Sequence, residues 1–264
     1  MTENILTGKW ALVTGGSSGL GVDFARELAE RGMNLVLVAR REQRLQEVSG
    51  ELVQDFGVET RVLTADLAAE RAAEALYEQV SALGIQVDVL INNAGFGVYG
   101  QFLEEDWPGQ RAMLNLNINT LTGLTRLFSR EMQSRGFGYV LLVASTGAYQ
   151  PTPHYAAYSA SKSYVLSFGE ALNFELKDSP VSVTVLSPGV TRTEFHEVSG
   201  QGRDNLYVRL TTMESERVAR IGIEAMLKGK PSMVPGILNK LTAWFAQRAP
   251  RRMVTAAASW MMGQ

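Results

Sequence analysis

Trp10-Ala11-Leu12-Val13-Thr14-Gly15-Gly16-Ser17-Ser18-Gly19-Leu20-Gly21 decides how this chain is read. An apolar run enters a glycine-rich turn, and beyond it Leu20, Phe24 and Leu28 recur at helical spacing. The pattern predicts strand, turn, helix. Such a turn aims free backbone N–H groups and the positive end of a helix dipole at one point, where a phosphate can sit. Glycines let the backbone approach it without Cβ clashes. A glycine pattern alone also fits a plain tight turn; the strand before it and the helix after it give it weight.

The same alternation continues outward. Asn34–Ala39 is apolar and ends in Arg40-Arg41, followed by helical periodicity from Glu42 to Phe56. Thr60–Thr64 closes in Ala65-Asp66-Leu67, and a helix follows to about Leu83. Val87–Ile91 ends in Asn92-Asn93-Ala94-Gly95. A helix from about Trp107 to Arg130 carries Asn115, Asn117 and Asn119, unusual because asparagine is a mediocre helix former. Tyr139–Ala144 ends in Ser145, and the prolines in Tyr149-Gln150-Pro151-Thr152-Pro153 exclude helix interior there. A helix holding Tyr158 and Lys162 runs to about Leu176, and Val181–Leu186 ends in Ser187-Pro188-Gly189. Residues 190–212 read as a long polar loop, either a lid or a solvated connection. A helix from Ser215 to Lys228 and a short strand near Met233-Val234 complete the pattern. The expectation is an α/β fold: a doubly wound, mostly parallel seven-stranded sheet with helices on both faces and turns gathered at the strands' carboxyl ends. Residues 1–235 form that domain, and 236–264 a C-terminal helical extension rather than an independent domain.

Composition narrows the chemistry. The chain has 264 residues, 45% apolar and 20% charged, with a net charge of −2, which gives no reason to expect a nucleic-acid partner. It has no cysteine, which removes disulfides and thiolate catalysis, and only His154 and His196, too few for a histidine-based zinc site. No signal-peptide core or membrane-spanning run is present, so a cytoplasmic location is the expectation.

In a helix, Tyr158 and Lys162 sit one turn apart on one face. Phenol titrates near 10, and lowering that by ~3 units needs about 4 kcal/mol. One ammonium at roughly 4 Å, at an effective dielectric of about 20, supplies that much. Tyrosine-x-x-x-lysine is common by chance, so the pair gains meaning only from the motifs around it.

Together, Thr14 to Gly21, Asp66-Leu67, Asn92-Asn93-Ala94-Gly95, Asn117, Ser145, Tyr158-Ser159-Ala160-Ser161-Lys162 and Pro188-Gly189-Val190-Thr191-Arg192-Thr193 resemble the short-chain dehydrogenase/reductase family, in that family's order. The resemblance implies a Rossmann sheet and an oxidoreductase that moves a hydride between a nicotinamide cofactor and a carbonyl or alcohol. It implies that Tyr158 is the general acid or base. Ser145 positions the carbonyl oxygen, Lys162 lowers the Tyr158 pKa and holds the nicotinamide ribose, and Asn117 holds a water that relays protons to Lys162. It further implies that Gly15, Ser17, Ser18, Gly19, Leu20 and Gly21 surround the pyrophosphate. Asp66 and Leu67 meet the adenine, Asn93, Ala94 and Gly95 lie along the adenosine side, and Pro188, Gly189, Val190 and Thr193 hold the carboxamide. No metal is required. The competing reading is a non-catalytic dinucleotide-binding sensor or subunit partner; an epimerase or dehydratase fits less well, having little room for a larger substrate domain.

Two further expectations concern ligand choice and the tail. An acid normally ends the second strand and grips the ribose 2′-hydroxyl. Here Arg40 and Arg41 stand instead, suited to a 2′-phosphate, so NADP(H) is the expected cofactor. Phe96 to Tyr99, Thr146 to Tyr155 and Val190 to Thr212, with Tyr149, Phe195 and Tyr207 among them, predict an apolar ligand such as an acyl chain, a steroid or an aromatic ketone. In the tail, Ile237, Leu238, Leu241, Trp244 and Phe245 form one apolar stripe. It either packs on its own core, covers the pocket or a second subunit, or docks on a membrane with Lys240, Arg248, Arg251 and Arg252 beside it. The reading adopted is the pocket or subunit role, in a homodimer or homotetramer.

Overall fold

The structure is a computed structural model describing residues 5–192 and 210–261, without the side chains of Arg192 and Met261. Phe195, His196, Tyr207 and Thr193 lie outside the described residues. The strands are β1 (Trp10–Thr14), β2 (Asn34–Ala39), β3 (Thr60–Thr64), β4 (Val87–Asn92), β5 (Gly138–Val143), β6 (Val181–Leu186), β7 (Thr191–Arg192), β8 (Met213–Glu214) and β9 (Ser232–Met233). Seven of them form one sheet in the order β3-β2-β1-β4-β5-β6-β9, with every neighbouring pair parallel. β1 and β2 are buried on both faces, the reason their sequences are continuous apolar runs rather than alternating ones.

Helices cover both faces. One core packs α1 (Leu20–Ala29), α2 (Glu42–Phe56) and α7 (Ser215–Leu227) against the sheet through Phe24, Leu28, Leu45 and Ile223. The other packs α3 (Ala72–Ala82), α5 (Leu121–Arg135) and α6 (Ala156–Glu175) through Leu76, Leu124, Phe128 and Val165. α6 sits close to the sheet because Gly169 has no side chain: a Cβ there would lie 2.2 Å from Val185 Cγ2.

The predicted helix from Trp107 is longer and less regular than its periodicity suggested. α4 (Trp107–Leu114) starts at Asp106, whose carboxylate accepts the Gly109 N–H at 2.7 Å. It passes through a π-helical turn, Asn115–Thr120, into α5. Part of the predicted polar loop pairs as the parallel β7–β8 ribbon, joined by Met213 N–H to Val190 O at 3.0 Å. After β9 come α8 (Ile237–Arg248) and α9 (Arg251–Met261), separated at Pro250.

The tail departs from the pocket half of its expected role. The apolar stripe of α8 faces outward, and the buried positions are Asn239, Ala243 and Ala246 on the opposite side. The stripe therefore packs neither on this chain's core nor over its cleft. Alanines let that inner face sit close to the body, so burial follows the small side chains rather than the large ones.

Candidate active site

β1 lies between β2 and β4, so successive connections leave it in opposite directions. That makes its carboxyl end the switch point of the sheet, where ligands bind in such folds. One hydroxyl holds the two turns there. Thr14 Oγ1 donates to Ile91 O at 3.2 Å and accepts the N–H groups of Asn93 and Ala94, both at 3.0 Å, using its whole hydrogen-bonding capacity. The Asn93 amide donates to Thr14 O at 2.9 Å, so this side chain braces the turn. Gly15 adopts φ 70°, a conformation that glycine tolerates.

Gly21 departs from its expected role. It does not border the cleft but packs on the turn behind it, where a Cβ would fall 2.0 Å from Gly15 O and 2.9 Å from Asn93 Nδ2. Its missing side chain brings the start of α1 onto the glycine turn.

At the far end of the cleft, the Asp66 carboxylate accepts the Ala68 N–H at 3.1 Å. Two of the three asparagines that stand out in the sequence hold this turn. Asn115 Nδ2 donates to Ala68 O at 2.7 Å and Ala69 O at 3.0 Å, and Asn119 Nδ2 donates to Asn115 Oδ1 at 2.9 Å. Thr120 adds a bond to Leu67 O at 2.8 Å. Arg40 and Arg41 border the same end; Arg41 Nη2 donates to Ser17 O at 3.2 Å, tying the start of α2 to the glycine turn.

At the near end, α6 places Tyr158 and Lys162 one turn apart. The Tyr158 hydroxyl hydrogen-bonds Ser145, which follows β5 in extended conformation and also accepts the Gly147 N–H at 3.1 Å. Thr146 N–H donates to Pro188 O at 2.8 Å, joining this turn to the one after β6. Lys162 is buried; its Nζ donates to Val143 O at 2.9 Å and lies 5.9 Å from the Tyr158 ring centroid. Asn117, in the π turn, is fully buried. Its amide donates to Phe96 O at 3.0 Å and Ser161 Oγ at 3.1 Å, while its Oδ1 has no hydrogen-bond partner among the described residues. A Cβ on Gly95 would come within 2.9 Å of that oxygen and 3.2 Å of Lys162 Nζ, so both groups look toward the same small space.

The electrostatics differ from the simple pair picture. Although Tyr158 borders the cleft, burial pushes its pKa up to about 12, with the Ser145 hydrogen bond pulling the other way. Burial brings Lys162 down to about 8. In the protein alone the phenol is thus raised, not lowered: the ammonium is turned to a carbonyl oxygen, and desolvation is the larger effect.

The turns enclose a cleft of about 570 Å³. Among the described residues, every predicted site residue borders it except Gly21 and Asn117. Phe96, Gln150, Thr152 and Tyr155 come from the predicted pocket segments, whereas Tyr99 and Tyr149 do not border it. Tyr99 instead packs against Tyr155, with ring centroids 5.1 Å apart and planes tilted by 59°. Asn239 was missed. It reaches the cleft from α8, donates to Thr211 O at 3.2 Å and Pro235 O at 3.1 Å, and fills the space over Gly189, where a Cβ would lie 2.5 Å from its Nδ2. The signal available was a lone asparagine opposite an apolar stripe.

A cleft with a helix N-terminus at its centre, glycine backbone against it and a buried tyrosine–lysine pair at one end fits a nicotinamide dinucleotide. Comparisons agree. Residues 9–204 match the family model described as short chain dehydrogenase. The chain is 32% identical over 232 residues to a very-long-chain 3-oxoacyl-CoA reductase of Anas platyrhynchos, covering 84% of this chain and 72% of that one. It is 32% identical over 259 residues to the 17-beta-hydroxysteroid dehydrogenase type 3 of Mus musculus, covering 96% and 84%. Among solved structures, a 7beta-hydroxysteroid dehydrogenase superposes with a TM-score of 0.88 at 26% identity, covering 98% of this chain and 99% of that one. A Sphingobium yanoikuyae short-chain dehydrogenase in complex with NADPH gives 0.79 at 27%, covering 92% and 97%. The chain belongs to the short-chain dehydrogenase family, and is an oxidoreductase that binds NAD(P)(H).

Proposed function

We propose that the protein reduces a ketone on a large apolar frame, a 3-oxoacyl or steroid-like compound, with NADP(H) as the coenzyme and Tyr158 as the proton donor. The Tyr158–Ser145 hydrogen bond beside buried Lys162 carries this reading. The relatives named above as a 3-oxoacyl-CoA reductase and as hydroxysteroid dehydrogenases support the substrate class. Phe96 borders the cleft, and Tyr155 gives it an aromatic wall beside Tyr158, with ring centroids 5.4 Å apart.

The bound nicotinamide supplies the hydride chemistry. The chain's residues supply orientation and the proton. Ser145 donates a hydrogen bond to the carbonyl oxygen and fixes it beside the Tyr158 hydroxyl. Tyr158 gives its proton to that oxygen as negative charge develops there. A phenol held near 12 keeps its proton until then. Lys162 stabilises the resulting phenolate, and the unpaired Asn117 Oδ1 holds a water that returns a proton. At the other end Arg40 meets the 2′-phosphate; among the described residues no carboxylate borders the cleft at the end of β2. The test is NADPH oxidation with 3-oxoacyl thioesters, steroid ketones and aryl ketones. Tyr158→Phe is expected to keep NADPH affinity and lose at least ~100-fold in kcat; a variant retaining a tenth of the rate refutes the assignment.

A further inference from the structure

The outward face of the C-terminal helices has no counterpart in the chemistry above. On α8, Ile237 is 81% exposed, Leu241 57%, Trp244 53% and Phe245 61%. On α9, Met253 is 64% exposed and Trp260 75%. Their spacing puts them on the solvent side of both helices, since Asn239, Ala243, Ala246, Val254 and Ala258 take the buried side. A patch of this kind on a water-exposed surface marks an interaction site.

Charge says what it meets. Residues 236–264 contain Lys240, Arg248, Arg251 and Arg252 and no acidic residue, whereas the other 235 residues hold 21 basic and 27 acidic ones. Basic character is thus concentrated on the apolar helices of an otherwise acidic protein. A second copy using the same face would bring like charges together. Arg248 lies 4.3 Å from the Trp244 ring centroid, pairing an aromatic face with a cation as interfacial helices do. Among the described residues no helix is long and apolar enough to cross a membrane.

We infer that α8 and α9 dock this protein on an anionic lipid surface, lying in the interface with Trp244, Phe245 and Trp260 inserted among the acyl chains. The same helices flank the cleft. The inner face of α8 contributes Asn239 to it, and Arg251 and Arg252 line an open groove with Pro151 and Pro153, whose neighbours Gln150 and Thr152 border the cleft. Docking therefore brings the cleft mouth to the lipid surface, from which an apolar ketone enters. That delivery step rests on the substrate class proposed above; docking itself does not.

The experiment is co-sedimentation of the full chain, with NADPH present, on vesicles of phosphatidylcholine containing roughly one-third phosphatidylglycerol, against pure phosphatidylcholine. Anionic vesicles are expected to bind at least tenfold more tightly, given about fivefold per basic residue near such a surface. Trp244→Ser/Phe245→Ser is expected to abolish binding, and Lys240→Gln/Arg248→Gln to weaken it on the order of tenfold. Unchanged NADPH affinity in both variants shows that the fold is intact. Absence of binding to anionic vesicles overturns the inference, as does a dimer that Trp244→Ser/Phe245→Ser dissociates in a chain that ignores vesicles. If docking holds and the apolar ketones are not reduced, the substrate class fails while the docking surface stands.

Discussion

Replacing Lys162 by methionine should make the protein more stable while destroying its activity. The ammonium is 4% exposed, and its partners among the described residues are the Val143 carbonyl oxygen and the Tyr158 ring, with no carboxylate paired to it. Burial lowers its pKa from 10.5 to about 8. At about 1.4 kcal/mol per unit, the charged form costs the folded state about 3 kcal/mol near neutrality. Methionine fills a similar volume without the charge and forfeits the bond to Val143, about 1 kcal/mol. The net expectation is a gain of about 2 kcal/mol at pH 7, read from urea unfolding of cofactor-free protein. The pH dependence supplies the control. Above pH 8 the folded state has released this proton while the unfolded chain keeps it up to about 10.5, so wild-type stability rises with pH across that interval. Tyr158 acts in the opposite sense, but only between 10 and about 12, where the unfolded phenol ionises first. Lys162→Met should remove the rise between pH 8 and 10. A variant that is no more stable at pH 7, or that keeps the wild-type slope, refutes the reasoning. Stability given up for a buried charge is the expected mark of a functional group.

Other outcomes are equally concrete. Arg40→Ala should raise the KM for NADPH at least tenfold and leave that for NADH nearly unchanged; equal effects would remove the 2′-phosphate contact. Gly21→Ala forces a methyl to 2.0 Å from a backbone oxygen. Loss of about 1–3 kcal/mol and weaker NADPH binding by calorimetry are expected, and normal affinity would show that the turn can shift. Asn239→Ala strips two buried carbonyls of their donor and opens space over Gly189. It should cost about 1–3 kcal/mol in urea unfolding and raise the NADPH KM, whereas an unaltered KM would make Asn239 purely structural.

What the sequence revealed and what it concealed follow from the range of the interactions. β1 and β2 are buried on both faces, so each shows as an uninterrupted apolar run next to its turn. Tyr158 and Lys162 are neighbours in one helix, and their spacing alone puts them together. Asn115 and Asn119 stand out as unusual in a helix, but their task does not, because Asn115 holds a turn some 46 residues earlier in the chain and Asn119 holds Asn115. The π turn that lets Asn115 and Asn117 serve different loops leaves no periodic trace. In α8 the periodicity located an apolar face but not its direction, which the close packing of Ala243 and Ala246 decided. Asn239 escaped notice for the same reason: the turn it covers belongs to a different part of the fold.

The Thr14 hydroxyl also has a history in time. Its three partners lie 77 to 80 residues further along the chain, so the glycine turn stays unclamped until β4 has been synthesised and paired. At about 5–20 residues per second, that interval lasts roughly 4–16 s on a ribosome. Throughout it β1 presents the unsatisfied strand edge that β4 later covers. The glycine turn, among the first parts to be translated, thus gains its clamp only once Ala94 has emerged, and NAD(P)(H) meets no rigid turn before then.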